Sequence, residues 1–221
     1  MIIIFDLDDT LYPEISYVKS GFLAVSNYLS LKYGFDESQT YSFFLKTLRK
    51  DGREGIFNKF LKIKKVYNKN NLNKCISIYR NHNPKITLYS DAKACIKRFQ
   101  KYRKYIITDG NVIVQRNKVK ALEITNQFIK IIPTYQYGIS YSKPSISCFN
   151  KIMEYEGCLP SDMIYIGDNP NKDFVNIKKV GIRTARILRG SFKDVKLNKS
   201  HEAEFEFESL NGITKTFING L

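Results

Sequence analysis

Apolar residues along this chain change their spacing in a way that separates two kinds of element. Short β-rich runs at residues 2–5, 105–108 and 163–166 are almost wholly apolar, and each is followed by polar or glycine-containing punctuation and then by helical periodicity. Uninterrupted apolar strands alternating with helices are the mark of a parallel sheet covered on both faces. A further run over 127–133 predicts a strand ahead of a loop at 137–143, and 183–187 predicts a fifth. The tail at 201–207 alternates polar and apolar residues and predicts a short edge strand, with Glu202, Glu204, Glu206 and Glu208 on its solvent face.

Residues 13–88 break that rhythm. Helical spacing recurs in Val18-Phe22-Val25-Leu29, Phe43-Leu45-Leu48, Phe57-Phe60-Leu61 and Ile76-Tyr79, with Pro13 and Pro84 near the two seams, where a hinge fits. The polar run at 67–74 predicts a loop between two of these helices. The expected organisation is α/β: a Rossmann-like parallel sheet flanked by helices over 1–12 and 89–221, with a small all-helical domain over 13–88 inserted after the first strand.

Composition narrows the classes. A chain of 221 residues with 43% hydrophobic content can bury one good core and a modest second lobe. The apolar amino terminus meets Asp6, Asp8 and Asp9 at once, too soon for a signal segment or a membrane span, so a soluble, cytoplasmic chain is expected. Cys75, Cys95, Cys148 and Cys158 show no C-x-x-C pairing, which predicts reduced thiols rather than disulfides or a zinc cage. The net charge of +15 raises nucleic-acid binding as an option, but the lysines are scattered along the chain. A solvated face is the better reading, with a positive field that draws in anions.

Candidate chemistry sits just after the strands. In an open parallel sheet the carboxyl ends of the strands face the ligand crevice, so residues distant in sequence meet there. Asp6-Leu7-Asp8 places two carboxylates at the first strand end. Alone, such a pair would be read as a helix cap.

Its company changes that reading. Phe5-Asp6-Leu7-Asp8-Asp9-Thr10-Leu11-Tyr12 resembles the first signature of the haloacid-dehalogenase-like superfamily, an apolar strand ending in D-x-D-x-T. Ile106-Ile107-Thr108-Asp109-Gly110-Asn111 resembles the second, Lys143-Pro144 the third, and Ile166-Gly167-Asp168-Asn169-Pro170-Asn171-Lys172-Asp173 the fourth, all in family order and spanning nearly the whole chain. The resemblance implies a phosphohydrolase in which Asp6 is the nucleophile and Asp8 the general acid and base. Thr108, Asp109, Gly110 and Lys143 would then contact the phosphoryl group. It implies Mg²⁺ as cofactor, held by Asp6, Asp168, the backbone carbonyl of Asp8, and Asp173 in or next to the shell. Asp109 replaces the Asn often found there and is expected to organise the turn; Asp9 either caps a turn or takes part in catalysis. Gln115-x-x-Lys118 resembles the subfamily with a helical cap, with Lys118 as a support residue.

The helical insert resembles the type-one cap of the subfamily that includes phosphatases, a sugar-phosphate mutase and the dehalogenases. The dehalogenases lack the second aspartate, so Asp8 favours phosphoryl chemistry. The expected substrate is a small phosphorylated metabolite, a sugar phosphate or a nucleoside monophosphate. The basic loop at 49–55, through Arg53, is a candidate for a second anionic group on it. A sugar-phosphate mutase on the same centre and a non-catalytic nucleic-acid-binding scaffold are the alternatives.

Overall fold

The computed structural model describes residues 1–221. In chain order the elements are β1 (Ile2–Phe5), α1 (Glu14–Tyr33), α2 (Glu37–Asp51), α3 (Ile56–Ile63), α4 (Lys69–Asn81), α5 (Ser90–Arg98), β2 (Lys104–Thr108), α6 (Val112–Ala121), β3 (Lys130–Pro133), α7 (Ser147–Glu156), β4 (Met163–Gly167), α8 (Val175–Lys179), β5 (Arg183–Ile187), β6 (Phe205–Phe207) and α9 (Lys215–Asn219). All six strands form one sheet in the order β3-β2-β1-β4-β5-β6. Every neighbouring pair is parallel. This is the α/β, Rossmann-like class expected from the sequence.

The central strands are buried along their whole length. That is why they carry β-branched and aromatic residues without polar alternation. On one face Ile2, Ile4, Tyr105, Ile107, Met163 and Tyr165 pack with Phe149 and Ile152 of α7 and with Phe174. β2 begins one residue before the apolar run, at Lys104. This lysine is buried, and its ammonium donates to the Phe99 carbonyl at 2.8 Å, so a backbone acceptor satisfies the charged head inside the protein.

The chain divides into two compact units, one of Met1–Glu14 with Thr87–Leu221, the other of Ile15–Ile86. The second unit is all helical and has its own core, in which Phe22, Phe44 and Phe60 are buried and Phe44 meets Phe22, Phe57 and Phe60 with ring centroids 5.3–5.4 Å apart. No helix is long and apolar enough to cross a membrane.

Three local expectations are corrected. The polar run at 67–74 is not a loop beyond Asn68: α4 starts at Lys69, because the Asn68 side chain accepts from the Asn71 amide at 2.8 Å and caps the helix. Its polar residues occupy an exposed helical face, and Cys75 is its buried anchor. The basic loop at 49–55 is likewise shorter, since α2 runs on to Asp51. In the tail, β6 covers only Phe205–Phe207, and the four glutamates do not share one free face. Glu202 lies before the strand and accepts from Arg186 at 2.7 Å, and Glu204 pairs with Arg183 at 2.8 Å. The Arg186 side chain is 1% exposed, and a guanidinium so buried requires a carboxylate.

Candidate active site

β1 and β4 lie side by side at the centre of the sheet, where the strand order reverses and a ligand crevice opens beyond the carboxyl ends. Asp6 leaves β1 with its amide still bonded to the Ile166 carbonyl at 2.8 Å. Thr108 closes β2, and Asp168 follows Gly167 at the end of β4. These ends surround a cavity of about 130 Å³ lined by Asp6, Asp8, Asp9, Thr108, Asp109 and Asp168 together with Glu14, Asn169, Lys172 and Phe192. Its volume is several times the roughly 30 Å³ of one water molecule, enough for a phosphoryl group.

Two of these lining residues converge with a third carboxylate. Asp6, Asp168 and Asp173 are buried, and each offers an oxygen within 4.8 Å of the others. Asp173 reaches this position because Gly167 has no side chain: a Cβ there would stand 2.5 Å from Asp173 Oδ2. That same Oδ2 accepts from the Asn169 amide at 3.0 Å, which closes the turn between the two aspartates. Thr10 donates to Asp168 at 3.4 Å and so ties the first strand's loop to the fourth.

Lys143 is the cation of this cluster. Its ammonium lies 3.1 Å from Asp6, 2.8 Å from Asp173 and 2.7 Å from the Tyr165 hydroxyl, with a side-chain exposure of 1%. Burial pushes its pKa down, yet Asp173 and Asp6 more than reverse this and hold it well above the ordinary lysine value. One cation does not neutralise three acids. Asp6 is therefore raised to about 7, by burial first, with Asp173 adding and Lys143 opposing. Asp168 is also raised, by burial and then by Asp173 and Asp6.

Asp8 lives in a different environment. Lys118 donates to it at 2.6 Å, Gln115 at 3.0 Å, and the Tyr12 hydroxyl makes a short bond. Burial raises its pKa, but Lys118 and the hydrogen bonds from Gln115, Lys118 and Tyr12 outweigh that and leave it below the usual carboxylate value. Two acids separated by one residue are thus driven apart, a pattern that suits different chemical roles.

Asp109 does more than shape its turn. One carboxylate oxygen accepts from Thr134 at 2.9 Å and from the Lys143 amide at 3.1 Å, and the other from Lys172 at 2.6 Å. It pins three segments around the cavity. Asp9, at a φ of +50°, accepts from the Glu14 amide at 2.8 Å and the Ser191 amide at 3.2 Å, which makes it a loop clasp.

Of the residues singled out from the sequence, Asp6, Asp8, Thr108, Asp109 and Asp168 line one cavity, and Lys143 and Asp173 are buried beside Asp6. Gly110 forms the turn after β2 at a φ of +127°. Arg53 belongs to the helical unit, exposed between α2 and α3. Sequence reasoning missed Tyr12, Tyr165 and Lys172. Lys172 stands between the two aspartates of the fourth signature, a position that could have raised it; Tyr165 looks like any core strand residue until its hydroxyl is placed.

Three buried carboxylates with hard oxygen donors and a single partner cation fit a divalent cation of the Mg²⁺ type, which takes carboxylates and retains water. With its folded pKa raised from 3.8 to about 7, Asp6 contributes stability to the metal-free protein that is fully present below 3.8, declines as pH rises from there, and is lost once pH has passed about 7. A divalent cation reverses that loss. At 100 times its Kd it contributes about 2.7 kcal/mol, which in a chain of this size is a rise in Tm of roughly 5–10 °C. Thermal scans with Mg²⁺ and with EDTA are expected to show this shift at pH 8 and a smaller one at pH 5.5. Equal shifts at both values would sink the assignment of the cluster.

The family model for haloacid dehalogenase-like hydrolases matches residues 3–187. A curated relative, the glyceraldehyde 3-phosphate phosphatase of Methanocaldococcus jannaschii, is 28% identical over 87% of this chain and 87% of its own length. The protein of the same name from Pyrococcus furiosus is 25% identical over 95% of this chain and 89% of its own. Among solved structures, the HAD phosphatase from Thermococcus onnurineus shares the fold with a TM-score of 0.61 at 22% identity, covering 96% of this chain and 95% of its own. The magnesium-bound HAD-hydrolase YfnB from Bacillus subtilis does so with a TM-score of 0.66 at 16% identity, covering 98% and 97%. With four signatures meeting at one set of strand ends and a family match over most of its length, the chain belongs to the haloacid dehalogenase-like hydrolases.

Proposed function

We propose that this hydrolase removes phosphate from a small phosphorylated sugar, with Asp6 as nucleophile and Asp8 as the proton-transfer group. The observation that carries this reading is the division of the two acids: Asp6 lies in the carboxylate cluster beside Lys143, and Asp8 is held apart from it by Lys118, Gln115 and Tyr12.

In the first half-reaction an Asp6 oxygen attacks phosphorus, the bond to the sugar oxygen breaks, and Asp8 donates the proton that oxygen needs to leave. In the second, water attacks the aspartyl-phosphate, Asp8 takes the proton, and Asp6 is regenerated as inorganic phosphate departs. Before substrate binds, the three donors on Asp8 favour its carboxylate, the form that activates water in the second half-reaction; the first requires Asp8 to take up a proton as the phosphate dianion binds beside it. Lys143 steadies Asp6, while the Thr108 hydroxyl and the amides at Asp109 and Gly110 are the donors assigned to phosphoryl oxygens. Asp6, Asp168 and Asp173 with the Asp8 carbonyl would hold Mg²⁺, which when bound would supply positive charge between the anionic nucleophile and the anionic phosphate.

Glyceraldehyde 3-phosphate is the first substrate to test, because the curated relatives carry its name. The helical unit is assigned the role of a cap that limits substrate size, with Arg53 as a contact for a further anionic or polar group. Four free thiols go with a reducing compartment, and the cytoplasm is the proposed location.

The test is phosphate release from a panel that includes glyceraldehyde 3-phosphate, hexose phosphates, nucleoside monophosphates and p-nitrophenyl phosphate, with Mg²⁺ and with EDTA. Mg²⁺-dependent release strongest on a triose or hexose phosphate is expected. Isomerisation of a sugar phosphate without release would replace this reading with a mutase.

A further inference from the structure

The cavity at the strand ends has walls of one sign almost throughout. Asp6, Asp8, Asp9, Glu14, Asp109 and Asp168 line it, and Lys172 is the one cation among its lining residues. A site that receives a phosphate dianion has to present positive charge to it beyond that of a metal ion, and the other two lysines of the centre are already engaged, Lys118 on Asp8 and Lys143 in the carboxylate cluster. The Lys143 side chain is 1% exposed, and its ammonium already meets Asp6, Asp173 and the Tyr165 hydroxyl.

Lys172 differs in each respect. Its side chain is 31% exposed, and its ammonium makes one ion pair, with Asp109 at 2.6 Å. An ammonium has three donors, so two remain for a ligand. The residue is also well anchored at both ends. Its amide bonds to the Asn169 carbonyl at 3.3 Å within the turn that leads to Asp173. At the other end Asp109 is itself fixed by Thr134 and by the Lys143 amide. A lysine held at its backbone and at its head, with two donors left over at the mouth of an acidic cavity, is a preorganised anion contact.

We propose that Lys172 is a phosphate-contacting residue of this site, its ammonium donating to non-bridging phosphoryl oxygens while Asp109 keeps it in place. No bond to Lys172 is made or broken; it binds and orients the group that Asp6 attacks. The inference rests on the phosphohydrolase reading for its substrate, but phosphate binding alone can test it.

The experiment uses the full-length protein with Mg²⁺ and inorganic phosphate as the probe, followed by calorimetric titration and by inhibition of turnover, in wild type, Lys172→Met and Lys172→Arg. Loss of a charge-assisted contact is expected to weaken phosphate binding about 10–100-fold and to raise KM by a similar factor. The change in kcat should be smaller, the Tm unchanged, and most of the affinity recovered in Lys172→Arg. Phosphate affinity and KM within twofold of wild type in Lys172→Met would overturn the assignment, as would an arginine variant no better than the methionine one. If Lys172→Met lowers the Tm, Lys172→Arg against Lys172→Gln makes the same comparison between polar side chains: affinity that follows charge supports the contact, and affinity indifferent to charge overturns it. A wild type that binds phosphate through Lys172 yet hydrolyses nothing on the panel removes the proposed function and leaves this contact standing. Undiminished hydrolysis and affinity in Lys172→Met does the reverse.

Discussion

Asp6→Asn protein is expected to fold normally and to release phosphate on the order of 10⁴–10⁶-fold more slowly than wild type, the scale seen when the nucleophile of a concerted catalytic group is removed. The two side chains have the same shape, so the packing around a residue only 5% exposed is kept. What is lost is the anionic oxygen. An amide does not attack phosphorus, and the neighbouring acids are otherwise engaged, Asp8 with Lys118, Asp173 with Lys143, and Asp168 with the Thr10 hydroxyl. The substitution also removes one of several like charges held in a buried space, where burial already raises the Asp6 pKa to about 7. The metal-free variant should therefore be at least as stable as metal-free wild type at pH 8. Steady-state release, acid-quench trapping of the phosphorylated protein and thermal scans check the three parts of this expectation. Residual turnover above about 1% of wild type would mean that Asp6 is not the nucleophile.

Lys143→Ala is the second large effect, and it acts on folding as well as on rate. Removing one partner of a buried ion pair typically costs about 3–5 kcal/mol, because the remaining charge is left uncompensated. Here two carboxylates, Asp6 and Asp173, lose their shared partner. In a chain of this size the loss lowers Tm by roughly 6–20 °C. The acids can recover part of that loss by taking up protons, so metal-free Lys143→Ala should be closer to wild type at pH 5 than at pH 8. Turnover is expected to fall with the cation that steadies Asp6. Denaturant unfolding at the two pH values, with EDTA present, measures the first effect. A penalty that does not depend on pH would assign Lys143 a packing role in place of an electrostatic one.

These two residues also show how differently the site was legible in sequence. Asp6 follows an apolar strand in a four-signature pattern, and its position at a strand end follows from the sheet class alone. Lys143 stands in a Tyr- and Ser-rich loop and has only its K-P context to mark it. Tyr165 carried no signal. It occupies a core position of β4, and its contact with Lys143 depends on where a loop from elsewhere in the chain is brought in. Glu202 failed in the opposite direction: alternation assigned it to a solvent face, and the buried Arg186 claimed it.

The sequence by itself determined the alternation of strands and helices, the helical character of the insert, and the presence of the acids at strand ends. Each of these follows from local periodicity or from residues near one another in the chain, where side-chain direction repeats with the backbone. Only the tertiary structure decided the strand order, the separate environments of Asp6 and Asp8, and the work of Asp109 in pinning Thr134, the Lys143 amide and Lys172. The physical reason is that charge and burial are properties of a place. The Asp8 pairing spans 110 residues and the Asp109–Lys172 pairing 63, and a pattern of neighbours along the chain carries no distance between groups so far apart.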